Sequence, residues 1–242
     1  MQVSCIIPCY NAERFLGEAI ESVIAQTLSP TEIIVIDDGS TDGSAAVAAR
    51  YADRVKYLHQ HNAGPAAARN RGVELSRGDF VAFLDADDLW HSEKLERQAA
   101  RFAARPELEA CVTHLTAFWE DEVRHEQEAL QGHARTRSSL PGYVMQTMLA
   151  HRSAFAKTGT LNPALRFGED TEWFIRARDA GVVLEMMSDV LVFRRFHANN
   201  LTRSRGNKVL KSGILEMVQS SLERRRQSAV DTQFTEAGEK TL

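Results

Sequence analysis

Three carboxylates stand within four positions at Asp85-Ala86-Asp87-Asp88, directly after the apolar run Phe80-Val81-Ala82-Phe83-Leu84. Acidic side chains are seldom buried without partners, and two like charges about 4 Å apart repel by roughly 1 to 4 kcal/mol, depending on screening. Something positive should compensate them. A divalent cation with oxygen ligands, shared with a phosphorylated substrate, meets that requirement. A helix cap accounts for one carboxylate, and Asp88 is the expected cap; Asp85 and Asp87 are left for chemistry.

The elements around this cluster place other polar residues beside it. Val3–Ile7 is a β-branched apolar run ending at Pro8 and reads as a buried strand, as do Glu32–Ile36 and Val55–Leu58. Between them lie a helix bearing Phe15, Leu16, Ala19, Ile20, Val23 and Ile24, with Asn11 as the expected N-cap, and the Ala-rich helix from Ser44 to Tyr51. A third helix opens at Pro65. Strands alternating with helices predict an α/β fold, with a mostly parallel, Rossmann-like sheet flanked by helices. Ligands of such sheets sit at the carboxyl ends of the strands, where Tyr10-Asn11, Asp37-Asp38 and Asp85-Ala86-Asp87 fall.

The second half is less regular. Glu93–Ala104 reads as a helix, Leu108–Phe118 as a strand and Glu120–Ser139 as an irregular polar insertion. Glu169-Asp170 opens a helix carrying Trp173; Val182–Met187 and Val190–Phe193 read as two strands. Lys208–Arg226 has Leu210, Ile214, Leu215 and Val218 on one face and is expected to be an amphipathic helix, followed by a polar tail.

Hydrophobic residues make up 43% and charged residues 26% of the 242, the proportions of a soluble globular protein. A net charge of −4 points to no polyanionic partner, so nucleic acid is not expected. Met1 leads straight into the first strand with no basic leader, and no window approaches 18 apolar residues, so a cytoplasmic protein is expected. Cys5, Cys9 and Cys111 are odd in number and lack zinc-site spacing; buried free thiols are expected.

Four stretches in order resemble family 2 glycosyltransferases of the GT-A fold, over roughly residues 2–202: Ser4 to Asn11, Glu32 to Asp42, Asn62 to Asn70, and Asp85-Ala86-Asp87. The resemblance implies a single glycosyltransferase domain over 1–205, with 1–90 binding the nucleotide sugar and 91–205 forming the acceptor side; 206–242 hold the C-terminal helix and tail. It implies a donor pocket formed by Pro8, Tyr10, Asn11, Asp38, Asn62, Gly64, Arg69, Asp85 and Ala86. In it Asp38 accepts from the base, Pro8 and Tyr10 form the wall, and Arg69 orients Asp38, approaches the nucleotide or forms a surface ion pair. Asp85 and Asp87, with His197 nearby, would hold Mn²⁺ or Mg²⁺ against the diphosphate of a donor, usually a UDP sugar. Asp170 would be the catalytic base, with Glu169, Trp90 and Trp173 on the acceptor side. A late histidine satisfied by a local hydrogen bond is the competing expectation for His197, and a helix-stabilising role is that for Glu169-Asp170.

The chain lacks the Gln-x-x-Arg-Trp motif of processive synthases, so transfer of a single sugar is expected; the resemblance implies inversion and a glycan, lipid-linked or other hydroxyl acceptor. Residues 190–226 carry nine Lys or Arg against two Glu, which raises peripheral contact with anionic lipid at the inner membrane face. Arg203 and Arg205 could approach the diphosphate. A sugar nucleotidyltransferase would want a Gly-rich first loop, and residues 7–15 contain no Gly. An inactive nucleotide-sugar-binding homologue is the reading from outside catalysis.

Overall fold

The structure is a computed structural model and describes residues 1–129, 138–165 and 167–200. Its centre is β1 (Val3–Cys9), paired in parallel with β2 (Glu32–Asp37) on one side and β4 (Phe80–Phe83) on the other; β2 pairs in parallel with β3 (Val55–His59). The connecting helices are α1 (Leu16–Ile24), α2 (Ser44–Ala49) and α3 (Pro65–Leu75). Side chains alternate across the strands. Val3, Cys5, Ile7 and Cys9 therefore join Leu16, Ile20 and Val23 of α1 in one core layer, while Ile6 and Ile34 join Ala66, Ala68 and Val73 of α3 in the other. Both faces are covered, which is why the strands read as continuous apolar runs. The three cysteines are buried and free, and burial pushes the thiols of Cys9 and Cys111 up to about 11.

Close approach of α3 to β1 depends on Gly72. A Cβ there would collide with Ile6 Cγ2 and lie 3.0 Å from its Cγ1, in fully buried surroundings. Gly72→Ala is expected to cost about 1 to 3 kcal/mol by overpacking, lowering the melting temperature by roughly 2 to 12 °C. An unchanged melting curve would show that the α3–β1 contact is loose.

Beyond β4 come β5 (Leu89–Trp90), α4 (Lys94–Ala104), β6 (Ala110–Trp119), α5 (Arg124–Ala129), β7 (Leu140–Pro141), β8 (Leu149–His151), α6 (Arg152–Thr158), α7 (Glu169–Asp179) and β9 (Leu184–Phe196). The sheet order is β3-β2-β1-β4-β8-β6-β9-β5, with β7 attached to β6. β8 runs antiparallel to both β4 and β6, and so joins the parallel block to a second block in which β6 and β9 are parallel. The α/β architecture expected from the alternation is present.

Several local expectations are corrected. The two short strands near residues 182–193 are one 13-residue strand, whose pairing slips around His114 so that both segments stay on β6. Asn11 does not cap α1: that helix starts at Leu16 after a turn in which Phe15 and Leu16 N–H donate to Ala12 O, and Asn11 adopts φ 48°. The insertion after Glu120 carries a 3-10 turn at Asp121–Val123 and α5. The expected helix over 208–226, the tail, Arg203 and Arg205 lie outside the described residues. No helix among the described residues is long and apolar enough to cross a membrane.

Candidate active site

The parallel pairing brings the loops after β1, β2 and β4 to one edge. Asn11 ties the first two: its Oδ1 accepts from Thr41 N–H at 2.8 Å and its own N–H donates to Ser40 Oγ at 2.9 Å. Asp37 Oδ1 accepts from Ser40 N–H, and its Oδ2 accepts from Tyr57 Oη–H. Asp38, 3% exposed, reaches across to the loop before α3. Its Oδ1 accepts from Gln60 Nε2 and Ala63 N–H, and its Oδ2 from Gly64 N–H at 2.7 Å. Gly64 holds φ 94°, a region favouring glycine, as it turns its N–H onto that carboxylate. Asp38 thus ties the loop residues Ala63 and Gly64 to the end of β2, while at the end of β1 Pro8 is half-buried and Tyr10 exposed.

The turn after β4 closes through Asp88 N–H donating to Asp85 O at 3.0 Å. Its three carboxylates have three different fates. Asp87 Oδ2 meets His197 Nε2 at 3.0 Å and Asn200 Nδ2 at 3.1 Å. Because His197 Nδ1 accepts from Asn199 N–H, the ring proton lies on Nε2 and points at Asp87. Asp88 is not a helix cap. It is buried, accepts from Arg195 N–H and Gln146 Nε2, and α4 begins only at Lys94, six residues later, with no side-chain cap. Burial, reinforced by Asp87 and Asp85, pushes its pKa well above the usual carboxylate range. Asp85 is claimed by an arginine.

Arg195 holds this turn from behind, donating from Nε to Asp87 O and pairing with Glu120 and Glu18 at 2.5 and 2.6 Å. Its guanidinium lies between the rings of Phe15 and Phe118, 4.6 and 4.7 Å from their centroids. Sequence reasoning counted Arg195 in a basic surface; at 5% exposure it is instead an internal clamp. The signal was present, because an arginine that continues the apolar run Val190–Phe193 into the fold needs anionic partners.

Arg69 neither orients Asp38 nor forms a surface ion pair. It is 4% exposed, and its guanidinium meets Asp85 Oδ1 at 2.6 Å, Glu169 Oε1 at 2.9 Å and Asp170 Oδ1 at 3.9 Å. Burial opposes its charge, but Asp85, Asp170 and Glu169 outweigh that and hold it protonated. One residue of α3 thereby joins the end of β4 to the start of α7. Asp170 Oδ2 accepts from Met145 N–H at 3.2 Å, whereas Oδ1 is buried with no hydrogen-bond partner. Burial pushes Asp170 up to about 6; Arg69 pulls against that rise, while Glu169 and Asp85 add to it.

The two tryptophans expected on the acceptor side are core residues. Trp173 is fully buried and donates to Gly159 O, and Trp90 is 4% exposed and donates to Gln146 O. Lys94, also fully buried, sits 4.1 Å over the Trp90 ring, and burial pulls its pKa down to about 7. Nearness in sequence to acidic residues does not decide which way an indole faces, and both indoles point into the sheet–helix layers. Asp85, Asp87 and His197 likewise do not converge as three ligands: among the described residues no group of three His, Cys, Asp or Glu could hold a metal ion.

The sequence model described as "Glycosyl transferase family 2" matches residues 4–177. EpsH of Bacillus subtilis (strain 168) is 30% identical over 232 residues, covering 88% of this chain and 66% of that protein. An uncharacterized glycosyltransferase, YibD of Escherichia coli (strain K12), is 51% identical over 90 residues, covering 36% of this chain and 26% of that protein. The chain thus spans only part of the length of these relatives. Among solved structures, S. aureus TarS 1-349 in complex with UDP-GlcNAc superposes with a TM-score of 0.71 at 20% identity, over 85% of this chain and 62% of that one. That likeness bears on the fold, which is the GT-A arrangement of a curled sheet between helices. With the family's sequence model covering the sheet edge, the Arg69 hub and the start of α7, the chain belongs to glycosyl transferase family 2.

Proposed function

We propose that the chain moves one sugar, a hexosyl or N-acetylhexosaminyl group, from a nucleotide diphosphate sugar to an acceptor hydroxyl with inversion, using Mn²⁺ or Mg²⁺. The observation that carries this reading is Asp170 Oδ1: a buried carboxylate oxygen without a hydrogen-bond partner, on the far side of Arg69 from the Asp85–Asp88 turn. A buried acceptor atom left unpaired is costly, and a substrate hydroxyl would satisfy it. TarS structures in complex with UDP and with UDP-GlcNAc support a uridine donor.

The residues fit a divalent ion even though they do not form a closed cage. Arg69 and His197 each engage one oxygen, Oδ1 of Asp85 and Oδ2 of Asp87, while hard cations of this kind use one or two carboxylates and take the rest of their shell from substrate phosphates and water. When bound, the ion would supply Lewis-acid stabilisation of the departing diphosphate. The chain's own groups do the remainder. His197 and Asn200 fix the rotamer of Asp87; Arg195 fixes the backbone beneath it; Asp38 shapes the nucleotide pocket, and Tyr10 offers a face to its base. Asp170 takes the acceptor proton as the hydroxyl attacks. One base and no second nucleophile suit a single displacement, hence inversion. The gathering of Asp85, Glu169 and Asp170 on one arginine speaks for catalysis over an inactive binding module.

The test is donor consumption by the purified chain with UDP sugars and Mn²⁺. Asp85→Ala combined with Asp87→Ala is expected to lower turnover by about a hundredfold or more, several kcal/mol of lost charge stabilisation. Turnover unaffected by both the double variant and chelation would remove the cation from the mechanism.

A further inference from the structure

Of the large hydrophobic side chains that are described, Met1, Tyr10, Tyr143 and Val183 stand exposed. Met1 and Val183 precede β1 and β9, at the edge of the sheet away from the site. The two tyrosines lie on the site's edge. Tyr10 belongs to the donor loop after β1. Tyr143, 51% exposed, has no part in the mechanism described so far.

Two independent connections place Tyr143 beside the base. Along the chain, Met145 N–H donates to Asp170 Oδ2, and Tyr143 is two residues before it. Through space, its ring meets that of Phe174 edge-on, with centroids 5.8 Å apart at 77°. Phe174 is four residues after Asp170 in α7, so the two share a helix face. The exposed ring therefore stands next to the backbone segment and the helix turn that hold the buried Asp170 carboxylate.

The ring is also held rather than left on a loose loop. Thr147 Oγ–H donates to both Gly142 O and Val144 O, bracketing Tyr143, and Thr147 N–H returns to Val144 O. Gly142 is packed so closely that a Cβ would lie 2.6 Å from Thr113 O. A single rigid aromatic face beside a polar carboxylate suits the C–H face of a pyranose, whose polarised hydrogens meet the negative ring face. An acyl chain would want a contiguous apolar patch.

We infer that Tyr143 is the platform of an acceptor subsite: its exposed face stacks a pyranose of a saccharide acceptor and presents a hydroxyl to Asp170. This rests on Asp170 being the base, and it names the acceptor as carbohydrate. The test uses ligand-observed NMR on the full chain with methyl β-glucopyranoside, methyl β-galactopyranoside and the methyl β-glycoside of N-acetylglucosamine, each with and without UDP and Mn²⁺. At least one glycoside is expected to bind with its C–H resonances shifted upfield by the ring. Tyr143→Ala should weaken that binding about threefold to tenfold and abolish the upfield shift, Tyr143→Phe should keep both, and UDP affinity should be unchanged. Equal binding and shifts in Tyr143→Ala, or no binding of any glycoside to the native chain, would overturn the subsite. Absence of UDP stabilisation in the native chain would count against the donor reading, and the arm without UDP would still score Tyr143.

Discussion

Asp170→Asn is expected to reduce transfer by about 10² to 10⁴-fold while leaving UDP affinity unchanged. The amide keeps the shape of the side chain and can still accept from Met145 N–H, so the fold should survive. What it cannot do is take a proton. The pH profile of the native chain carries the same assignment. The base works ionised, and burial has pushed its pKa up to about 6 against the pull of Arg69. Rate should therefore be full well above that value and fall about tenfold per unit of pH below it, since the ionised fraction shrinks in that proportion. An Asn variant with native turnover, or a rate flat from pH 4 to pH 8, would remove Asp170 from the role.

Arg69→Met should be the most damaging single change to stability. It takes one cation from the middle of three carboxylates, two of them within 3 Å of its nitrogens, in a site almost closed to water. Breaking a buried pair from one side costs about 3 to 5 kcal/mol because the remaining charges stay buried and uncompensated. For a chain of this size that is a fall of roughly 6 to 20 °C in melting temperature. Arg69→Lys should recover only part of it, since one ammonium cannot reproduce a fork that spans Asp85 and Glu169. There is a kinetic counterpart. Arg69 pulls the Asp170 pKa down, so in any Arg69 variant that still folds the acidic limb of the rate profile should move to higher pH. A melting temperature within about 2 °C of native would show that the ion-pair hub is not a structural centre.

How much of this was readable beforehand varies by residue. The strands β1, β2 and β4 were legible because strands covered on both faces must be apolar throughout, and that pattern is local. The edge carrying the site followed, since parallel strands place their carboxyl ends together. β5 and β8 were not foreseen, for they are two and three residues long and too short to show a period. Trp90 and Trp173 were misplaced for a different reason. An indole beside acidic residues in the sequence says nothing about whether it faces the site or the core, and both face the core.

The sequence by itself determined the α/β class, the strand ends at which Asp38 and Asp85 to Asp88 emerge, and the acidic start of α7. Those follow from periodicity and residue type over a few neighbours. Only the tertiary structure decided the partners. Arg69 reaches Glu169 across 100 positions, and Arg195 reaches Asp88 across 107. It turned an expected helix cap into a buried anchor, made Arg69, for which a surface ion pair was one of three expectations, a three-carboxylate hub, and set Asp85 against Arg69 and Asp87 against His197. The physical reason is that charge pairing depends on distance through space and on exclusion of water, and neither is written in the spacing along a chain.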